Sequence, residues 1–237
     1  MKVLVIPDVH LKPFIFEQAS RLMADQAAER AVCLMDIPDD WNQKLNIDLY
    51  EDTFDAAIRF ARDYPDTLWC YGNHDLSYVW SAMESGYSGM ASYMVRKKLK
   101  KLQDTIPADN PIRYVQKIDD VLFSHGGLDK GFVLTYVSES SYDDVDNVLE
   151  SIESLGYREM WTDDSPIWLR PQYDHAILYR EEDFLQVVGH TPVETPTREG
   201  NLISCDTFST YRDGTPIGNQ EFLVLDTQTW EFEGVKA

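Results

Sequence analysis

Five short polar clusters in this sequence contain residue types that bind metal ions. Each cluster combines Asp, Asn, His or Gly, and each follows a short apolar run. The clusters are Asp8-Val9-His10, Asp36 with Asp39, Gly72-Asn73-His74-Asp75, Ser124-His125-Gly126-Gly127 and Gly189-His190-Thr191. Asp, Asn and His together supply the mixed oxygen and nitrogen ligands that suit divalent metals such as manganese, iron or zinc.

The spacing within the clusters supports this interpretation. Asp8 and His10 are two residues apart, so in an extended segment both side chains point to the same side and can reach one ion. The neighbouring glycines let the backbone approach an ion closely because they have no Cβ. A single cluster is more often a turn or a buried histidine than a ligand set. Five in this arrangement predict a metal site.

The apolar runs before these clusters predict the strands that position them. Runs 3–6, 31–35 and 67–71 alternate with helical patterns at 14–30 and 52–64, which indicates a parallel β-α-β-α-β start. Later runs at 112–116, 121–124, 185–188, 202–205 and 221–225 read as further short strands. An α/β front half and a β-rich back half favour two sheets packed face to face with helices outside.

Composition excludes several classes of protein. The 237 residues carry 21 Lys plus Arg against 41 Asp plus Glu, a net charge of −20, and 43% are hydrophobic. A chain so apolar is not disordered, and one so acidic neither coats nucleic acid nor binds an anionic membrane. A phosphate substrate stays open, because bound metal reverses the local charge.

We also expect a cytoplasmic protein. The three cysteines lie in separate apolar runs, which predicts buried reduced thiols. The apolar start at 3–7 is too short for a signal peptide, and no apolar run approaches the roughly 18 residues of a membrane span. The oligomeric state is left open.

We predict a single domain over 1–237, with a cap-like insertion at about 129–184 that contains an acidic stretch and several aromatic residues.

Taken in order from Asp8 to about Asp206, the motifs resemble those of the calcineurin-like metallophosphoesterases. The resemblance implies an α/β (α+β) fold, a four-layer αββα sandwich of two mixed sheets flanked by helices. It also implies two divalent metals, manganese first, with iron or zinc as alternatives. By this resemblance one metal is held by Asp8, His10 and Asp36, and the second by Asp36, Asn73, His125 and His190.

The same resemblance implies roles in catalysis. A hydroxide shared by the two metals attacks phosphorus, while His74 acts on the leaving group and Asp39 orients His74. The enzyme is therefore expected to be a metal-dependent phosphoesterase.

The last motif, Gly189-His190-Thr191-Pro192, indicates which branch of the family the sequence resembles. Nucleases and cyclic-nucleotide enzymes of this group carry Gly-His-x-His, but Pro192 occupies the second histidine position here. The motif instead resembles that of bacterial and phage serine/threonine phosphoprotein phosphatases and their diadenosine-tetraphosphate hydrolase relatives. Trp168-Leu169-Arg170 resembles the Trp-x-Arg element of that branch, which implies that Arg170 binds substrate phosphate through its bidentate guanidinium.

The sequence departs from that branch at two positions. Asp40 stands where the family has an arginine, and Phe208 stands where it has a glycine. A carboxylate at 40 cannot bind phosphate and is expected to repel it.

Three functions follow from these observations. The first is hydrolysis of a phosphomonoester, which includes phosphoproteins as candidate substrates. The second is hydrolysis of a dinucleoside polyphosphate, favoured by the motif Gly72-Asn73-His74-Asp75-Leu76 and by the aromatic residues of the insertion. The third, motivated by Asp40, is a non-catalytic metal-binding module. The expected partners are a phosphorylated small molecule, a nucleotide or a phosphoprotein, and not a nucleic-acid strand or a membrane.

Overall fold

Two five-stranded mixed sheets form the centre of the computed structural model, which describes residues 1–25 and 27–237. The first sheet has the order β10-β9-β1-β2-β3. Strands β1, β2 and β3 run parallel, whereas β9 pairs antiparallel with β1 and β10 antiparallel with β9. The strands are β1 (Lys2–Ile6), β2 (Arg30–Cys33), β3 (Leu68–Trp69), β9 (Phe222–Asp226) and β10 (Phe232–Val235).

The second sheet has the order β4-β5-β6-β8-β7. Its three central strands β5, β6 and β8 are parallel, and the two edge strands are antiparallel to their neighbours. The strands are β4 (Val115–Ile118), β5 (Val121–Ser124), β6 (Leu185–Pro192), β7 (Thr197–Glu199) and β8 (Leu202–Asp206).

The sheets pack face to face because their strands are apolar on both faces. In β1, Val3 and Val5 point inward and join a buried cluster with Phe123 and Val187 of the second sheet. The alternate residue Leu4 points outward and packs beneath helices. This two-residue alternation is what a strand covered on both sides requires.

Four helices accompany the first sheet, and their apolar faces share a buried cluster with its outer residues. Phe16, Phe54 and Phe60 belong to this cluster together with Trp69 of β3. The helices are α1 (Phe14–Ala24), α2 (Ile47–Asp63), α3 (Asn73–Trp80) and α4 (Ser92–Thr105).

The segment between β5 and β6 supplies the helices of the second sheet. Its apolar residues, among them Phe132 and Ile152, form a cluster with Leu122, which points outward from β5. These helices are α5 (Lys130–Tyr136), α6 (Val145–Glu153), α7 (Tyr157–Met160) and α8 (Pro171–Asp174). The helices therefore contribute an outer layer of the sandwich, and the treatment of 129–184 as an insertion stays a prediction.

The predicted four-layer sandwich is confirmed, with shifts at the ends of elements. The helix predicted over 14–30 ends at Ala24, because Arg30 already pairs with Val3 in the first sheet. The strand predicted at 112–116 begins only at Val115. All three cysteines are buried and free, as predicted. Within the described residues, no helix is long and apolar enough to cross a membrane.

Candidate active site

The first three clusters lie together because they follow parallel neighbouring strands. Asp8 and His10 follow β1, Asp36 and Asp39 follow β2, and Asn73 begins α3 just beyond β3. The carboxyl ends of parallel strands share one edge of the sheet, where open α/β folds place their ligands.

The second sheet contributes two histidines to the same place. His125 follows β5, and His190 lies within β6, where the pairing with β8 shifts register between Val188 and Pro192. His190 has a positive φ of 60° at this irregularity. Bulges of this kind redirect side chains and are frequent beside active sites.

The six residues predicted as metal ligands converge on two sites that share Asp36. Candidate ligand atoms of Asp36, His125 and His190 lie within 4.8 Å of one another, and so do those of Asp8, His10 and Asp36. The Oδ1 atom of Asn73 is 3.0 Å from Nε2 of His125. The structure thus brings the set together, and its role as ligands stays a prediction.

Backbone carbonyls orient two of the imidazoles. Nδ1 of His125 is 3.2 Å from the Leu34 oxygen, and Nδ1 of His10 is 3.0 Å from the Asp39 oxygen. A carbonyl only accepts, so each Nδ1 carries a hydrogen, and in the neutral ring Nε2 is the nitrogen left to bind a metal. This second contact is what typically fixes a metal-binding histidine.

Unpartnered buried atoms show that a cation fits here. Oδ2 of Asp8 and Nε2 of His190 are buried and have no hydrogen-bond partner among the described residues. Such groups are costly unless something else satisfies them. Carboxylate, amide and imidazole donors also form a set suited to divalent transition metals.

The electrostatics of the site favour a cation as well. Burial raises the pKa of Asp8 well above its ordinary value, and the Asp206 carboxylate raises it further. Burial also acts on Asp36, but the imidazoles of His125 and His74 outweigh it and lower the pKa of that carboxyl. Because buried carboxylates crowd one place, a divalent ion would relieve their repulsion.

Two glycines make room for the carboxylates. A Cβ on Gly72 would lie 2.0 Å from Oδ1 of Asp36, and one on Gly189 would lie 2.1 Å from Oδ2 of Asp8. Larger residues at these positions would displace the candidate ligands. Glycine is therefore required for close approach, as its place in the motifs predicts.

His74 and Asp39 form the predicted pair. Nδ1 of His74 lies 3.0 Å from Oδ2 of Asp39, and Asp39 is 1% exposed. Burial lowers the pKa of His74, but the carboxylates of Asp36 and Asp39 prevail and raise it to about 9. The ring is therefore arranged to donate a proton from the nitrogen opposite the carboxylate.

Sequence reasoning gave no role to Asp75, which the structure places beneath the site. Its fully buried carboxylate accepts hydrogen bonds from the backbone nitrogens of Asp36, Ile37 and Gly72, at 2.9, 3.2 and 3.1 Å. Burial and the Asp36 charge raise its pKa to about 7. One feature of the sequence could have indicated this role. Asp75 is three residues after Gly72, the position at which an acidic side chain caps a helix N-terminus.

Arg170 lies at the edge of the same pocket. Its Nη1 donates to the His190 carbonyl oxygen at 2.6 Å and to Thr191 Oγ1 at 3.2 Å. Its side chain also lines the pocket that contains His74 and Asn73. The guanidinium is thus anchored through one nitrogen, and its binding of phosphate stays a prediction.

Asp40 does not present a free charge to the pocket. Its Oδ2 accepts from Nζ of Lys12 at 2.9 Å, and its Oδ1 accepts from Thr210 Oγ1 at 3.0 Å. The side chain of Lys12 is only 9% exposed. The ammonium counterbalances the carboxylate, so the expected repulsion of phosphate is offset locally.

The pocket over these residues has a volume of about 240 Å³ and two indole walls, Trp41 and Trp168. Trp41 is held by a hydrogen bond from Nε1 to the Thr210 oxygen at 2.9 Å, and the Arg212 guanidinium lies 5.0 Å from its ring centroid. Trp41 as a residue is 40% exposed. The pocket therefore offers a fixed aromatic wall near the candidate metal site.

Comparison with known proteins is consistent with these observations. The family model described as calcineurin-like phosphoesterase matches residues 1–214. Among curated proteins, none matches this sequence.

Two solved structures are similar in fold. A cold-active protein-tyrosine phosphatase of a psychrophilic Shewanella species superposes with a TM-score of 0.58 at 17% identity, covering 98% of this chain and 80% of that chain. The hypothetical protein PH1004 from Pyrococcus horikoshii OT3 superposes with a TM-score of 0.50 at 12% identity, covering 100% and 87% of the two chains. Similarity at these identities concerns the fold alone.

Proposed function

This chain belongs to the calcineurin-like phosphoesterase family of hydrolases, and we propose that it hydrolyses phosphomonoesters in a metal-dependent reaction. The observation that carries the proposal is the position of the His74–Asp39 pair beside Asp36, the carboxylate common to both candidate ligand groups. A proton donor next to two metal ions is an arrangement that supports phosphoester hydrolysis.

The two divalent ions would be held by Asp8, His10, Asp36, Asn73, His125 and His190. Lewis-acid stabilisation of the phosphoryl charge, together with a water of lowered pKa, is what such ions supply when bound. Manganese is the first metal to test, with iron and zinc as alternatives, and the expected location is the cytoplasm.

The protein's own residues would act on both ends of the substrate. The Arg170 guanidinium, fixed through the His190 carbonyl, would pair with phosphate oxygens. His74 would donate a proton to the leaving oxygen as the phosphorus–oxygen bond breaks, and Asp39 would hold the Nδ1 hydrogen so that Nε2 faces that oxygen.

The pocket supports an aryl phosphate as the substrate, such as phosphotyrosine presented by a protein. A volume of about 240 Å³ accommodates a phosphate and the nearest part of its leaving group. Trp41 and Trp168 supply flat apolar walls against which an aromatic ring would pack. The Shewanella protein of similar fold bears the name protein-tyrosine phosphatase.

A dinucleoside polyphosphate is less well supported. Among the aromatic residues of the segment 129–184 that motivated it, Trp168 reaches the pocket lining. Trp161 instead packs edge to face against Trp80, with ring centroids 5.8 Å apart. The third function, a non-catalytic module, does not account for the retained His74–Asp39 pair.

The proposal is tested by p-nitrophenyl phosphate hydrolysis with chelator-treated protein, with and without added Mn²⁺. We expect activity only with metal, a large loss in Asp36→Asn, and a smaller loss in His74→Asn because p-nitrophenol is an acidic leaving group. The matched control is His175→Asn, since His175 is exposed. A folded wild-type protein that binds Mn²⁺ but shows no metal-stimulated hydrolysis would refute the proposal. Products from diadenosine tetraphosphate, with poor monoester turnover, would favour the second function.

A further inference from the structure

The carboxylate of Asp39 is shared between His74 and two tyrosines. Its Oδ2 contacts the His74 ring, whereas its Oδ1 accepts hydrogen bonds from the hydroxyls of Tyr50 at 2.7 Å and Tyr78 at 2.6 Å. Asp39 is 1% exposed, and both tyrosines are 0% exposed. Every strong interaction of this carboxylate is thus made inside the protein.

The two hydroxyls approach from different elements. Tyr50 belongs to α2 and Tyr78 to α3, so two helices fix the same oxygen atom. The hydroxyl of Tyr78 also accepts the backbone N–H of Ser88 at 2.8 Å, which determines where its own hydrogen points. Burial and the Asp39 charge raise the pKa of both tyrosines above their ordinary value, so both remain donors.

Hydrophobic packing alone does not require these hydroxyls. Phenylalanine would fill the same space in α2 and α3, as Phe54 and Phe60 do nearby in the core. Two neutral donors on one oxygen hold the carboxylate in a single rotamer. The other oxygen is thereby directed at the His74 ring.

We propose that Tyr50 and Tyr78 are positioning residues that fix Asp39 and, through it, aim His74 at the leaving group. The proposal rests on the proposed phosphomonoesterase function. In the reaction, a water oxygen bonds to phosphorus and gives up one proton to solvent, while the bond to the leaving oxygen breaks with its electron pair on that oxygen. The leaving oxygen takes a proton from His74, which regains one from solvent. Loss of a tyrosine hydroxyl would let Asp39 rotate and misdirect this proton.

Tyr50→Phe is the clearer variant, because Tyr78→Phe also removes the acceptor of the Ser88 N–H. The readout is the dependence on the leaving group. Phenyl phosphate releases a weakly acidic phenol that needs a proton, whereas p-nitrophenyl phosphate releases an acidic phenol that needs it much less. We expect Tyr50→Phe to lower kcat about tenfold on phenyl phosphate and less than about threefold on p-nitrophenyl phosphate.

Two controls separate positioning from stability. Tyr179 is equally buried and donates to the Tyr142 carbonyl at 2.6 Å, so Tyr179→Phe removes a comparable bond away from the site. This variant should show no dependence on the leaving group. In a His74→Asn background, Tyr50→Phe should change kcat by less than about twofold, because the two residues act as one unit.

If Tyr50→Phe lowers kcat equally on phenyl phosphate and p-nitrophenyl phosphate, or lowers it on neither ester, the proposal is overturned. An activity-independent readout distinguishes this failure from failure of the proposed function. In spectra of protein with ¹⁵N-labelled histidine, the signal absent in His74→Asn identifies His74. That signal should shift in Tyr50→Phe and not in Tyr179→Phe. If the wild type hydrolyses neither phenol ester, the proposed function fails, and an unshifted His74 signal would refute the positioning role independently.

Discussion

Gly189 lies so close to Asp8 that an added β-carbon would be 2.1 Å from the Oδ2 atom of the carboxylate. Asp8 is itself buried, and its Oδ1 accepts the His190 backbone N–H at 2.9 Å. The last motif of the chain therefore shapes the first one, 182 residues away in sequence.

Gly189→Ala is expected to displace Asp8 and to lower both metal affinity and activity. A displacement of about 1 Å in a catalytic group costs roughly 100-fold in rate, which sets the scale of the expected loss. Mn²⁺ binding by titration calorimetry and phosphate-ester hydrolysis measure the two effects. Gly89→Ala is the matched control, because an added β-carbon there meets nothing within 4 Å. Unchanged affinity and rate in Gly189→Ala would contradict the expected displacement of Asp8.

Lys12 and Asp40 are expected to be coupled in stability. The resemblance implies arginine at position 40. In this chain Asp40→Arg would instead place a second cation beside Lys12, whose side chain is only 9% exposed. Breaking a buried pair costs about 3–5 kcal/mol, and the 18% exposure of Asp40 suggests a smaller loss of about 1–3 kcal/mol. Urea unfolding of Lys12→Met, Asp40→Leu and the double variant gives the coupling energy. Additive losses would mean that the pair is not coupled.

Site features that depend on neighbouring residues in the sequence were predictable, whereas features that depend on distant residues were not. Ligand candidates were predictable because each follows an apolar strand run, and parallel strands bring their carboxyl ends together. The Lys12 partner of Asp40 is 28 positions away and has no motif of its own. Tyr50 was likewise unpredictable, since a tyrosine on the apolar face of a helix reads as core. Helix and strand ends were misplaced where pairing with a neighbouring strand outweighed local propensity, as at Arg30.

Glu153 is expected to make stability depend on pH. Burial raises its pKa to about 7 from an ordinary 4.5, despite the hydrogen bond from the Tyr114 N–H at 3.0 Å. Between these pH values the folded state binds more protons than the unfolded state, so stability present below pH 4.5 is lost as the pH rises through 7. Glu153→Gln should therefore raise the free energy of unfolding relative to wild type at pH 8, by on the order of 1–3 kcal/mol.

The measurement for Glu153 is urea unfolding at pH 5 and pH 8. The gain of Glu153→Gln over wild type should be smaller at pH 5, where the wild-type carboxyl is largely protonated in the folded state. Glu199→Gln, at an exposed position of β7, serves as the control and should show the same difference at both values. A gain that does not change between pH 5 and pH 8 would contradict the raised pKa.

Trp41→Ala is expected to reduce discrimination between aryl and alkyl phosphates. The indole contacts Thr210 and Arg212, and Trp41, which is 40% exposed, lines the pocket. An aromatic pair contributes about 0.5–1.5 kcal/mol beyond buried area, so kcat/KM for a phosphotyrosine peptide should fall roughly two- to tenfold. A phosphoserine peptide of the same sequence has no ring to stack and should be affected much less.

Tyr211→Ala is the control for Trp41→Ala. It removes a neighbouring aromatic residue that is 57% exposed and does not contribute to the pocket lining, so it should leave the ratio of kcat/KM for the two peptides unchanged. Equal losses on both peptides in Trp41→Ala would mean that the indole supports the rim of the pocket without contacting the leaving group.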